Sequence, residues 1–198
     1  MIRGMTIHTC RHRFAARLDR YRRWRAERMI ALRHANPGDA DAVTDVVRQS
    51  ITQLCEADHH NDPHTLATWL ANKTPQRFLA WISNPDNFCV VATIDDRVSG
   101  VGLLHRKGEI RLFFLAPGAQ RQGIGKEIHA ALEEKAIQWA LKNLHLESTV
   151  AACSFYEALG YQSTGAATIR FGVFACYPYE KYLPQKGSRE RTDAARPH

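Results

Sequence analysis

Glu109-Ile110-Arg111-Leu112-Phe113-Phe114-Leu115-Ala116-Pro117-Gly118-Ala119-Gln120-Arg121-Gln122-Gly123-Ile124-Gly125-Lys126 decides the fold. Glu109 to Leu115 has the β-branched and aromatic content of a strand, and Pro117-Gly118 is a turn signal. From Gly123 onward, Ile124, Ile128, Leu132 and Ala136 recur at helical spacing. Strand, glycine-rich turn and helix start in this order make an anion site. Backbone N–H groups converge there, and the helix dipole adds partial positive charge. Three glycine-loop patterns compete. A Walker loop needs Lys after its second glycine, but Ile124 follows Gly123. A dinucleotide fingerprint needs a third glycine where Ile128 stands. The pattern [QR]-x-x-G-x-[GA] is met by Gln120, Gly123 and Gly125 without a gap.

Three further stretches occur around this loop. Ala151-Ala152-Cys153-Ser154-Phe155-Tyr156-Glu157-Ala158-Leu159-Gly160-Tyr161 lies downstream, and Tyr179-Glu180-Lys181-Tyr182-Leu183 near the C-terminus. Leu32-Arg33-His34-Ala35-Asn36-Pro37-Gly38-Asp39-Ala40 lies upstream. In this order they resemble the conserved segments of the GNAT superfamily of N-acetyltransferases, over about residues 29–183. The resemblance implies an α/β fold with a mixed, mostly antiparallel sheet of six to seven strands flanked by helices. It also implies a splay between Glu109–Leu115 and Leu144–Glu147, where acetyl-CoA enters as though it were an extra strand.

Composition agrees with one globular domain. The chain has 198 residues, 44% hydrophobic and 24% charged. No apolar run is long enough for a membrane span, and no secretory signal pattern is present. Five cysteines without a C-x-x-C pair argue against a disulfide framework or zinc ribbon, and for a reducing, cytoplasmic setting. The formal charge of +7 is local: residues 1–28 hold nine arginines against Asp19 and Glu27, and the remainder balances 18 basic with 18 acidic residues. A neutral body argues against nucleic acid as the partner of the domain. The basic arm leaves open a nucleic-acid-associated role, a transit-peptide-like segment or a plain solvated helix. The expected organisation is a basic extension over 1–28, the domain over 29–183 and a polar, disordered tail over 184–198.

Arg28 to His34 reads as a strand, and Pro37-Gly38-Asp39 as a turn into a helix with Ala40, Val43, Val46, Val47 and Ile51 on its apolar face. Pro63 and Pro75 open two short helices. Phe88–Ile94, Val98–His105 and Glu109–Leu115 form an antiparallel meander. His145–Glu147 is a short strand, and Ser148 or Thr149 is the expected N-cap of the next helix, which ends at Gly160. Tyr161–Ser163 and Phe171–Tyr182 close the sheet as a hairpin.

The resemblance implies acetyl transfer from acetyl-CoA to a primary amine on a small molecule or protein, by direct attack in a ternary complex. Backbone groups of Phe113, Phe114 and Leu115 are expected to hold the pantetheine. Gln120, Arg121, Gln122, Gly123, Ile124, Gly125 and Lys126 are expected to hold the pyrophosphate. Tyr156 matches the family's motif tyrosine, a general acid for the departing thiolate. Thr149 stands near the place of a cofactor-contacting Asn in the family and replaces part of its bonding. Glu109 is the candidate base, with apolar neighbours expected to raise its pKa, and His105 is a second candidate. Cys55 to His64 is either an ordinary polar loop or, as the resemblance implies, part of the acceptor pocket, its three acids attracting an amine. Metal is not expected there, because Pro63 breaks the helix that would align His60 with His64. A non-catalytic acyl-CoA sensor is the alternative. Many relatives dimerise, so a homodimer is the expected assembly.

Overall fold

The computed structural model describes residues 29–170 and 174–184. The basic arm, and with it the arm-based readings, lies outside the described residues. So does the tail beyond Pro184.

The chain begins with β1 (Ile30–His34), a 3-10 turn at Pro37–Asp39 and α1 (Ala40–Leu54). Three short helices follow: α2 (Glu56–His59), α3 (Pro63–Leu70) and α4 (Pro75–Ile82). Then come β2 (Asn87–Ile94), β3 (Arg97–His105), β4 (Ile110–Leu115) and α5 (Ile124–Gln138). The last part comprises β5 (Asn143–Ser148), a 3-10 turn at Val150–Ala152, α6 (Cys153–Ala158), β6 (Gln162–Ser163), β7 (Thr168–Arg170) and β8 (Phe174–Tyr182).

The strands form two sheets rather than one. The first is an antiparallel meander in the order β1-β2-β3-β4, and the second runs β5-β8-β6, with β7 also paired to β8. Strand periodicity explains why β2 reads as a continuous apolar run. Alternate residues face opposite sides, and both sides are covered. Val90 and Ala92 join Ile124, Ile128 and Leu132 of α5 on one face. Cys89 and Val91 join Val43, Val47 and Ile51 of α1 on the other. Full burial of each such Ile or Leu contributes roughly 1.5–3 kcal/mol.

Arg33 forms a two-pronged ion pair with Asp39 at 2.7 Å on each side, and Asp39 also accepts the Asn36 N–H at 2.7 Å. The hydrogen bonds from Arg33 hold the Asp39 carboxyl below the usual carboxylate range. On β3, Gly102 lies directly beneath α5, and a Cβ there would overlap the Ile128 side chain. Gly102→Ala is therefore expected to cost about 1–3 kcal/mol of stability by overpacking. Urea denaturation against the parent chain measures it, and an unchanged midpoint would refute the tight seating of α5.

One expectation needs correction. Neither Ser148 nor Thr149 caps the segment that follows it. The Ser148 hydroxyl donates to the Thr149 carbonyl at 2.9 Å. The cap comes from far away in sequence: Asp58 of α2 accepts the N–H of Val150 at 2.6 Å and that of Ala151 at 3.4 Å. A cap requires an acceptor in the right place, whatever its sequence distance.

Candidate active site

Apart from a single bridge just before β4, β4 and β5 do not pair. Glu109 and His145 form an isolated parallel bridge, with the His145 N–H donating to the Gly108 carbonyl at 2.9 Å. From that point β4 stays with β3 and β5 with β8, so the strands diverge as a fork. The edge of β4 that faces β5 has no ladder partner among the described residues, and its amides are available to an extended ligand. The fork opens into a cleft of about 720 Å³.

The wall from β4 and the loop after it carries Phe113, Phe114, Leu115, Gln120, Arg121, Gly123, Gly125 and Lys126. Gly123 has φ +83°, a left-handed conformation that favours glycine, and it is the N-cap of α5. The first helical bond there is from Glu127 to Gly123. The N–H groups of Ile124, Gly125 and Lys126 therefore have no acceptor within the helix. Two predicted residues do not line the cleft with their side chains. Ile124 is 1% exposed and packs in the core, leaving only its backbone to face an anion. Gln122 folds back onto the Gly118 carbonyl.

The facing wall comes from β5 and α6: Leu146, Glu147, Ser148, Thr149, Phe155 and Tyr156. Tyr156 is buried, with ring contacts to Phe113, Phe155 and Tyr161 at 5.9, 5.4 and 5.4 Å. Among the described residues no protein group hydrogen-bonds its hydroxyl. Burial pushes its pKa above that of an ordinary tyrosine, so the phenol keeps its proton.

Glu109 does not have the surroundings expected of it. Its side chain is 43% exposed, and its carboxylate accepts from Arg111 Nε at 2.7 Å. It lies at the closed end of the fork, outside the cleft lining. His105 also stays outside, its Nδ1 accepting the Lys107 N–H in the β3–β4 turn.

The stretch from Cys55 to His64 divides its labour. Cys55 lines the cleft, and burial pushes its thiol up to about 12. Glu56 and His60 border an adjoining open depression of about 670 Å³. The other acids have structural work: Asp58 caps Val150 and Ala151, and Asp62 caps α3 through Thr65. His59 is 1% exposed, its Nε2 bonded to the Ile51 carbonyl and its Nδ1 accepting the Asn61 N–H.

Sequence reading did not single out Arg111, Glu147 or Phe155 as site residues. Arg111 is the extra residue of a bulge on β4: Leu103 faces Leu112, whereas Leu104 faces Ile110. Glu147 lines the cleft and is ion-paired to Arg170 of β7. Strand alternation could have flagged Glu147, since Leu144 and Leu146 face the core.

A family model described as "Acetyltransferase (GNAT) domain" matches residues 48–183. Several solved structures share the fold. The GCN5-related N-acetyltransferase of Rhodopseudomonas palustris is 23% identical, with TM-score 0.69, and the match covers 77% of this chain and 95% of that one. The PaiA N-acetyltransferase of Thermoplasma acidophilum, solved with coenzyme A, is 19% identical, with TM-score 0.67 and coverage of 78% and 99%. YncA of Salmonella typhimurium, solved with its cofactor acetyl-CoA, is 15% identical, with TM-score 0.61 and coverage of 83% and 99%. A search of curated proteins finds no match.

Proposed function

The chain belongs to the GNAT acetyltransferase family, and from that premise we propose that it moves acetyl from acetyl-CoA to a primary amine by direct attack. One observation carries this reading. A single fork holds both the unpaired N–H groups at the start of α5 and the phenol of Tyr156 on the facing wall. Coenzyme A or acetyl-CoA in two structures of the same fold supports the choice of ligand.

In this reading the α5 N-terminus receives the pyrophosphate, with Arg121 and Lys126 beside it. The free edge of β4 at Phe113 to Leu115 bonds the pantetheine amides, and Thr149 borders the other side. The acceptor binds as an ammonium and loses a proton to solvent through the open mouth. Its nitrogen then forms the bond to the acetyl carbon and gives up a second proton to solvent as the carbon–sulfur bond breaks. The departing thiolate takes the Tyr156 proton, which solvent restores. A covalent relay through Cys55 is disfavoured, because a thiol pushed up to about 12 supplies almost no thiolate near neutral pH.

Titration with acetyl-CoA, followed by thiol release on a panel of amines, tests the proposal. Absence of acetyl-CoA binding would remove it. Binding without turnover of any amine would favour an acyl-CoA sensor. Glu109 is expected to serve the fork by holding Arg111, not by taking the proton. Glu109→Gln should then keep kcat within about threefold of the parent between about pH 6 and pH 9. A loss of about a hundredfold would make Glu109 the base after all.

A further inference from the structure

Resting on the acetyltransferase reading above, we propose that the acceptor is a small amino acid-like molecule, its ammonium held by Glu147 and its carboxylate by Arg170. Leu144 and Leu146 of β5 are buried in the core beneath α5, so Glu147 projects from the opposite face. That face is also the α1 side, where Ser50, Leu54 and Cys55 reach the cleft. A cofactor seated on the α5 N-terminus enters from the first side, which leaves the second mouth for the acceptor.

At this second mouth Arg111 and Glu147 line the cleft, and each is ion-paired to a residue just outside the lining, Arg111 to Glu109 and Glu147 to Arg170. Arg170 Nε donates to Glu147 Oε2 at 2.5 Å, and its Nη2 donates to the other carboxylate oxygen. On the facing strand, the bulge directs Arg111 into the cleft while Glu109 holds its guanidinium. The four side chains sum to zero charge, so the mouth does not select for a polycation. A polyamine would bring several positive charges against Arg111 and Arg170. A plain monoamine could take Glu147 only by leaving Arg170 without an anion. A zwitterion changes one ion pair into two: ammonium to Glu147 and carboxylate to Arg170, whose planar fork suits a carboxylate. The existing pair is easily opened, since Arg170 and Glu147 are 49% and 39% exposed and such pairs contribute little.

The test uses the full chain, acetyl-CoA and matched acceptors: a panel of free amino acids, the carboxamide of each, the corresponding decarboxylated amines, and spermidine. Acetyl-CoA titration comes first and reports on the cofactor reading alone. With binding established, at least one amino acid should exceed its own carboxamide in kcat/KM by about tenfold or more. Arg170→Gln should bring that amino acid down to the level of its carboxamide, chiefly through KM. Glu147→Gln should lower kcat/KM for the amino acid by about tenfold or more while acetyl-CoA titration still shows binding. Three results would overturn the proposal and leave the acetyltransferase reading standing. One is turnover of another amine in the panel but of no amino acid. Another is preference for spermidine, a carboxamide or a plain amine. The third is an Arg170→Gln variant that still discriminates as the parent does.

Discussion

Tyr156→Phe is expected to lower kcat by about a hundredfold or more, with acetyl-CoA affinity changed by less than about threefold. The substitution keeps the ring and its contacts with Phe113, Phe155 and Tyr161, so the cleft wall should stand. It removes only the hydroxyl, which no protein group satisfies among the described residues. A structural tyrosine would normally have its buried hydroxyl bonded to protein. This one opens on the cleft and keeps its proton because burial disfavours the phenolate. Single-turnover thiol release together with acetyl-CoA titration separates the two roles. Unchanged kcat would assign Tyr156 to packing. Weakened acetyl-CoA binding with unchanged kcat would assign it to holding the pantetheine.

Asp58→Ala is expected to lower stability by about 2–4 kcal/mol, because it leaves the N–H groups of Val150 and Ala151 without an acceptor in a half-buried place. The loss should also reach catalysis, since those residues begin the turn that leads into α6 and Tyr156. Asp58→Asn keeps one acceptor oxygen and should recover much of the stability. The pH dependence has a definite sign. Burial, the largest influence, raises the Asp58 pKa above its ordinary value despite the two backbone donors. A raised folded-state pKa means that the folded chain binds this proton more tightly than the unfolded chain does. The Asp58 contribution is therefore fullest below the unfolded value of about 3.9 and declines as pH rises through the higher folded value. The stability difference between the parent and Asp58→Asn should shrink over that window. Parallel urea titrations across it measure the effect, and a difference that grows with pH would mean that the two N–H donors outweigh burial at Asp58.

Much of the fold is legible because its signals are local. The helix face Ile124, Ile128, Leu132, Ala136 is complete within one element, and all four residues are buried as the spacing implies. The meander follows from short turns at Asp95-Asp96 and Lys107-Gly108. Helices α3 and α4 begin at prolines preceded by capping Asp62 and Thr74. Local reading fails where a local candidate loses to a distant one. Thr149 looks like a cap by type and position, but Asp58, 92 residues from Val150, supplies the acceptor. Glu109 sits at a strand start suited to a base, but the adjacent bulge sets Arg111 against it.

The sequence by itself determined the order of the main elements, though not α2 or β7, together with the glycine turn at the head of α5, the family, and the pairing of β4 with β3. These depend on periodicity, φ preferences and short connections, which a chain carries residue by residue. Only the tertiary structure decided where the fork closes, at Glu109 and His145, and what faces into it. It also decided that Glu147 meets Arg170 across 23 residues and that Asp58 caps a turn in another layer. Such contacts depend on the relative placement of packed elements, and no pattern along the chain encodes which charged side chain will meet which.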